Sequence, residues 1–298
     1  MDPAGRIRGQ VRAVVRTRIR KAQRLACCTS RRRTIVCLAG ATMPSFHQTF
    51  DLTGKVALVT GGSRGIGKAV AEGLARSGAD VVIASRKLDR CETAAREVEA
   101  ATGRRALAVG CHVGRWQDCD RLVDAVYDEL GRCDVLVNNA GMSPAYDGLA
   151  SVTEELYDKV HATNARGPFR LSVLVGERMA NGDGGSIISV SSVGSWRPSA
   201  IDLPYAMAKA ALNALTLGLA GTWAPKVRAN LVLPSANETD LTSGWQPEMK
   251  ARIAEANPMK RLGRPQDVVG ACIFLASDAA SYVNGAQIPV DGGLYRTL

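Results

Sequence analysis

From residue 51 onward, short runs of apolar, β-branched residues alternate with stretches of helical pattern, and this alternation restricts the fold more than any other feature. KVALVT, ADVVIAS, RALAVGC, CDVLVNN, GSIISVSS, VRANLVLP and GAQIPV each read as a strand. Amphipathic segments lie between them, among them residues 68–77, residues 118–130 and the stretch that begins at residues 154–159. Strands that alternate with helices in this way predict a parallel sheet covered on both faces. The expected class is α/β: one doubly wound domain of about seven parallel strands, with no repeat or low-complexity linker inside it.

The chain has 298 residues and a formal net charge of +10, which would point to nucleic acid if it were spread over the molecule. It is not spread. Residues 1–42 hold ten Arg, one Lys and one Asp, and the remainder balances 27 basic against 27 acidic side chains. Any attraction to nucleic acid or anionic lipid would belong to that leader. No aromatic residue interleaves its arginines as a nucleic-acid arm would need. Its apolar run, with small residues at Ala39 and Ala41, lies too far from the start for an export signal. Residues 1–42 are therefore expected to be a basic leader, disordered or upstream of the working start near Met43. Residues 43–298 are expected to form one catalytic domain. No apolar run approaches the ~20 residues of a spanning helix. Neither a membrane nor a nucleic acid is expected as partner. The eight Cys include no C-x-x-C, and His47, His112 and His161 are far apart, so no metal site is expected. The thiols read as reduced, small apolar residues of a cytoplasmic protein.

LVTGGSRGIGKAV, just after the first strand, fits two nucleotide loops. Counted from Gly62 it is G-x-x-x-x-G-K, a phosphate loop one residue short. Ala69 stands where that loop needs a hydroxyl for magnesium, and the later strand ends VLVNNAG and SVSSVGS offer no acid for the metal. Counted from Gly61 it is T-G-x-x-x-G-x-G, a dinucleotide loop that opens a helix and turns backbone N–H groups toward a pyrophosphate. Gly61 permits the tight turn, Gly65 the close approach, and Gly67 the packing of helix on strand.

Far downstream stands YAMAK, Tyr205 to Lys209, with Ser192 thirteen residues before the tyrosine and NNAG at Asn138–Gly141. Together with the glycine loop, these motifs resemble the short-chain dehydrogenase/reductase family over residues 51–293, and the fold implied is of Rossmann type. The resemblance implies that Tyr205 is the general acid/base, that Lys209 also binds the nicotinamide ribose, and that Ser192 holds the substrate oxygen. Asn164 matches an asparagine that holds a water in the proton relay. Tyr and Lys four apart share one helix face. An ammonium there, with an oxidised nicotinamide nearby, would favour phenolate and lower the tyrosine from ~10 toward working pH.

The implied cofactor contacts are Gly61, Ser63, Arg64, Gly65, Ile66, Gly67, Ser85, Arg86, His112, Val113, Asn138, Ala140, Gly141, Tyr205, Lys209, Pro234, Asn237 and Thr239. Ser85 and Arg86 end the second strand without a carboxylate, and Arg64 can approach from the loop. These groups suit a 2′-phosphate, so NADP(H) is preferred over NAD(H). Two positions depart from the family pattern. His112 replaces the aspartate that receives the adenine amino group, although neutral imidazole still accepts one bond. Ser235 replaces a glycine, and Asn237 often has an apolar counterpart. Substrate contacts are expected from residues 143–148, 194–204 and a lid over 241–262, with Trp196 and Trp245 marking a bulky or apolar substrate. The implied activity is an NADP(H)-dependent interconversion of a carbonyl and a secondary alcohol by a homo-oligomer, a tetramer. The alternatives are a 3-oxoacyl thioester reductase and a non-catalytic nucleotide sensor or scaffold on the same fold.

Overall fold

The computed structural model describes residues 46–295, so the expectations for residues 1–42 lie outside the described residues. The seven strands are β1 (Val56–Thr60), β2 (Asp80–Ser85), β3 (Ala106–Gly110), β4 (Val135–Asn138), β5 (Gly185–Val190), β6 (Val227–Pro234) and β7 (Gln287–Val290). They form one sheet in the order β3-β2-β1-β4-β5-β6-β7, and every neighbouring pair is parallel. The helices of eight residues or more are α1 (Gly65–Arg76), α2 (Leu88–Thr102), α3 (Trp116–Leu130), α4 (Glu154–His161), α5 (Gly167–Asn181), α6 (Leu203–Thr222), α7 (Pro247–Ala256) and α8 (Pro265–Ala276).

Side chains alternate across each strand, so the sheet buries two separate apolar layers. Ala57 and Val59 of β1 face α1, α2 and α8 through Val70, Leu74, Val98, Cys272 and Leu275. Val56 and Leu58 face α3, α5 and α6 through Leu122, Val126, Leu171, Val175 and Leu219. Both layers exclude water, which is why the strand runs read as nearly continuous apolar sequence.

Between β1 and β4 the strand order reverses, and the two following loops part to opposite faces. Ligands of doubly wound sheets bind in the crevice this opens at the carboxyl ends of the strands. The glycine loop lies on one side of it. Gly67 packs so closely that an added methyl would lie 2.3 Å from the Gly61 carbonyl oxygen and 2.4 Å from Asn139 Nδ2. Gly67→Ala should therefore lower the stability to chemical denaturation by about 1–3 kcal/mol. An unchanged midpoint would show that the loop can relax.

Candidate active site

Gly61 and Gly65 turn the loop with φ of 65° and 53°, left-handed values that favour glycine. α1 opens with no side-chain cap and no acid in its first turn. Its first N–H groups and positive end therefore face the crevice uncompensated, which fits a pyrophosphate. Lys68 points elsewhere, pairing with Glu97 of α2, as expected of a residue with no phosphate to hold.

Across the crevice, β5 ends at Val190 and releases Ser191 and Ser192. Ser192 Oγ accepts the Gly194 N–H at 3.1 Å, which leaves its own proton to donate. Tyr205 and Lys209 stand one turn apart on α6, with Nζ 5.7 Å from the phenol ring centre. Lys209 is 3% exposed. It donates to the Val190 carbonyl at 2.7 Å, which uses one of its three N–H groups. Burial lowers its pKa to about 8. Burial likewise pushes the Tyr205 hydroxyl up to about 12, against a hydrogen bond from Ser192 that pulls it down, and the Asp202 carboxylate adds to the rise. The expected lowering by the ammonium is thus not a property of the protein alone. In the protein alone, desolvation is the largest influence on the Tyr205 hydroxyl.

Asn164 is fully buried in a π-helical turn, Ala162–Arg166, between α4 and α5. Its side chain donates to the Met142 and Val160 carbonyls at 2.9 Å each and accepts from Met142 N–H at 3.2 Å. A methyl on Gly141 would lie 2.9 Å from Asn164 Oδ1 and 3.6 Å from Lys209 Nζ. The bare glycine lets the loop after β4 meet both residues. The structure therefore brings Asn164, Ser192, Tyr205 and Lys209 together beside the crevice.

Residues 61–295 match the family model described as enoyl-(acyl carrier protein) reductase. Human dehydrogenase/reductase SDR family member 4 is 37% identical over 245 residues, covering 81% of this chain and 88% of that protein. The L-rhamnose 1-dehydrogenase (NAD(P)(+)) of Azotobacter vinelandii is 39% identical over 254 residues, covering 83% of this chain and 99% of its own length. The solved gluconate 5-dehydrogenase of Burkholderia cenocepacia, in complex with NADP and tartrate, aligns with a TM-score of 0.80 at 32% identity, over 85% of this chain and 99% of that one. The chain belongs to the short-chain dehydrogenase/reductase family. It is an oxidoreductase fold with the Rossmann-type strand order of that family.

The other residues expected around a dinucleotide in this short-chain dehydrogenase/reductase occupy varied positions. Ser85 Oγ donates to Ser63 Oγ at 2.9 Å, which joins the glycine loop to the end of β2, and Arg86 is exposed beside them. Arg64 does not join them. Its guanidinium pairs with Asp240 at 2.5 Å, because that carboxylate opens the helical turn Asp240–Ser243 just above the loop. Ile66, the second residue of α1, is half-buried and packs against the core. Val113 is buried, and its carbonyl is packed where Gly167 has no side chain. Asn138 does not face the crevice with its side chain, which donates to Ser172 of α5 at 2.8 Å. The neighbouring Asn139 does the bracing that NNAG foretold: Nδ2 donates to the Thr60 carbonyl at 2.8 Å. Ala140 N–H is taken by Thr60 Oγ1 at 3.1 Å. His112 Nδ1 already accepts the Gly114 N–H at 3.2 Å, so the accepting nitrogen expected for adenine is in use.

Pro234 ends β6 beside Val290. Asn237 is buried, with Nδ2 on the Ser235 carbonyl at 2.8 Å and its own carbonyl on Thr242 Oγ1 at 2.7 Å. Thr239 packs toward Gly65, with Cγ2 3.4 Å from where a methyl there would stand. The expected lid begins at this point and contains α7, and Trp196 is half-buried. Its indole N–H donates to Gln287 at 2.9 Å, and it packs with Val193, Leu231 and Leu233. Sequence reasoning also missed a support network. Ser191 Oγ donates to Asn213 Oδ1 at 2.6 Å, Asn213 Nδ2 to Ser195 Oγ at 2.8 Å, and Ser195 Oγ to the Ser192 carbonyl at 2.6 Å. Asn213 stands four residues beyond Lys209 on the same helix face, a spacing visible in the sequence. Tyr146 was not singled out either; its hydroxyl donates to the Ala200 carbonyl at 2.7 Å and accepts Leu203 N–H at 2.9 Å, tying the loop after β4 to the start of α6.

Lys209 carries a stability consequence. Its pKa falls from 10.5 unfolded to about 8 folded, so between those values the unfolded chain binds a proton the native one has released. Stability contributed by this site must rise with pH across that window. Wild type should gain on Lys209→Met by on the order of 3 kcal/mol as pH climbs from below 8 to above 10.5, read by urea denaturation of both proteins. Parallel pH curves would mean that the ammonium is solvated.

Proposed function

We propose that the protein is an NADP(H)-dependent oxidoreductase that interconverts a ketone and a secondary alcohol, with Tyr205 as general acid/base. The observation that carries this reading is a half-buried Tyr205 whose hydroxyl is hydrogen-bonded to Ser192 and whose ring lies 5.7 Å from the buried Lys209 amine, beside the crevice. In reduction, Ser192 donates to the carbonyl oxygen as negative charge develops there. Tyr205 then gives its proton to the same oxygen. Lys209 keeps two N–H groups free to hold ribose hydroxyls, and its charge stabilises the phenolate left on Tyr205. Asn164 holds the loop after β4 against Lys209, and the water of the implied proton relay belongs beside this pair. The nicotinamide, when bound, supplies or takes up the hydride.

Ser63, Ser85 and Arg86 are the groups suited to a 2′-phosphate. Arg64 joins them only by leaving Asp240. The NADP in the Burkholderia gluconate 5-dehydrogenase supports this preference. That relative and the rhamnose dehydrogenase favour hydroxylated sugars or sugar acids in the first substrate panel, beside simple ketones and acyl thioesters. Exposed Phe169 on α5 and Met207 and Leu217 on α6 support a homo-oligomer packed through those helices.

Tyr205→Phe should cut ketone reduction by about 10²–10⁴-fold while NADPH still binds. Full NADPH consumption by the variant would remove Tyr205 from the chemistry and favour the sensor or scaffold class. Arg86→Ala should weaken NADPH about tenfold and leave NADH nearly unchanged, measured by quenching of protein fluorescence. An equal loss for both cofactors would contradict the 2′-phosphate assignment.

A further inference from the structure

We infer that His112 reads the base of the dinucleotide, and reads it as a hydrogen-bond donor; this rests on the cofactor reading above. The fold fixes the place. A pyrophosphate at the start of α1 lies at the end of β1, and the reacting end lies toward Ser192 and Tyr205, beyond β5. In the order β3-β2-β1-β4-β5 the opposite end of an extended dinucleotide must cross the ends of β2 and β3. The segment that leaves β3 is tied to the end of β2 there, Cys111 N–H donating to the Ser85 carbonyl at 2.8 Å. With the ribose phosphate at Ser85 and Arg86, the base is left beside His112.

The ring's hydrogen bond decides what it can offer. Gly114 N–H donates to Nδ1 at 3.2 Å. A neutral imidazole has a single accepting nitrogen, so the proton is on Nε2. The ring is half-buried, and Nε2 has no partner among the described residues. The backbone enforces this tautomer. His112 N–H donates to Asp118 Oδ2 at 3.1 Å, and Arg115 N–H to the His112 carbonyl at 2.8 Å, so the turn that aims Gly114 N–H at the ring is fixed at both ends. Gly114 is also needed bare, since a methyl would lie 3.0 Å from His112 Cε1.

An Nε2–H donates to a ring nitrogen of adenine but cannot receive the exocyclic amine. The same N–H donates equally well to the C6 carbonyl of hypoxanthine. A carboxylate at this position does the reverse, accepting from the amine and repelling the carbonyl oxygen. The protein should therefore discriminate weakly between amino and oxo bases at this contact.

The test measures the dissociation constants of NADPH and of its hypoxanthine counterpart for wild type, His112→Asp and His112→Ala, all full-length. His112→Asp should raise the hypoxanthine-to-adenine ratio of constants about tenfold over wild type. His112→Ala should weaken both cofactors by a similar factor and leave the ratio within about twofold. An unchanged ratio in His112→Asp, or a loss confined to NADPH in His112→Ala, overturns the donor assignment alone. Failure of wild type to bind either dinucleotide overturns the cofactor reading, and this inference with it.

Discussion

The site depends on how β1 and β4 are held where they part. At that point the sheet offers no ladder bond, and two side chains replace it. Thr60 Oγ1 donates to the Val137 carbonyl at 3.2 Å and accepts the N–H groups of Asn139 and Ala140 at 3.1 Å. Asn139 Nδ2 returns a bond to the Thr60 carbonyl at 2.8 Å. This reciprocal clamp joins the glycine loop to the loop that carries Gly141. Gly141 in turn abuts Asn164 and Lys209, so the glycine loop and the Asn164–Lys209 side of the crevice share one frame.

Within that frame, burial drives the chemistry more than pairing does. Lys209 and Tyr205 are both pushed toward their neutral forms by desolvation, and no carboxylate offsets the cost for the lysine among the described residues. A solvated pair would be easier to fold but less useful. A desolvated phenol keeps its proton until an oxygen with developing charge accepts it, and a desolvated ammonium acts strongly on whatever anion forms beside it. The network from Asn213 through Ser195 to the Ser192 carbonyl braces the turn that carries the Ser192 hydroxyl.

The fold was legible because its information is local and periodic. All seven strand runs become strands, from untrimmed VRANLVLP to CDVLVNN, which loses three residues; GSIISVSS stops at Val190, which frees Ser192 to leave the sheet. The tyrosine, lysine and serine were legible because their spacing on one helix and one strand end is itself the geometry. What failed was long-range or environmental. Arg64 finds Asp240, 176 residues away, which no spacing announces. NNAG marked the right loop, but which amide braces it depends on strand alternation: Asn138 falls on the interior side and Asn139 on the crevice side.

In the function proposed for this crevice, hydride passes to a carbonyl carbon while Tyr205 supplies the proton. The most direct measurement is reduction of a ketone with NADPH deuterated at the transferable position of the nicotinamide, in ordinary water, with the alcohol analysed by mass spectrometry. The account predicts deuterium on the carbinol carbon and a solvent-derived proton on its oxygen. Turnover that leaves the carbinol carbon unlabelled would contradict it.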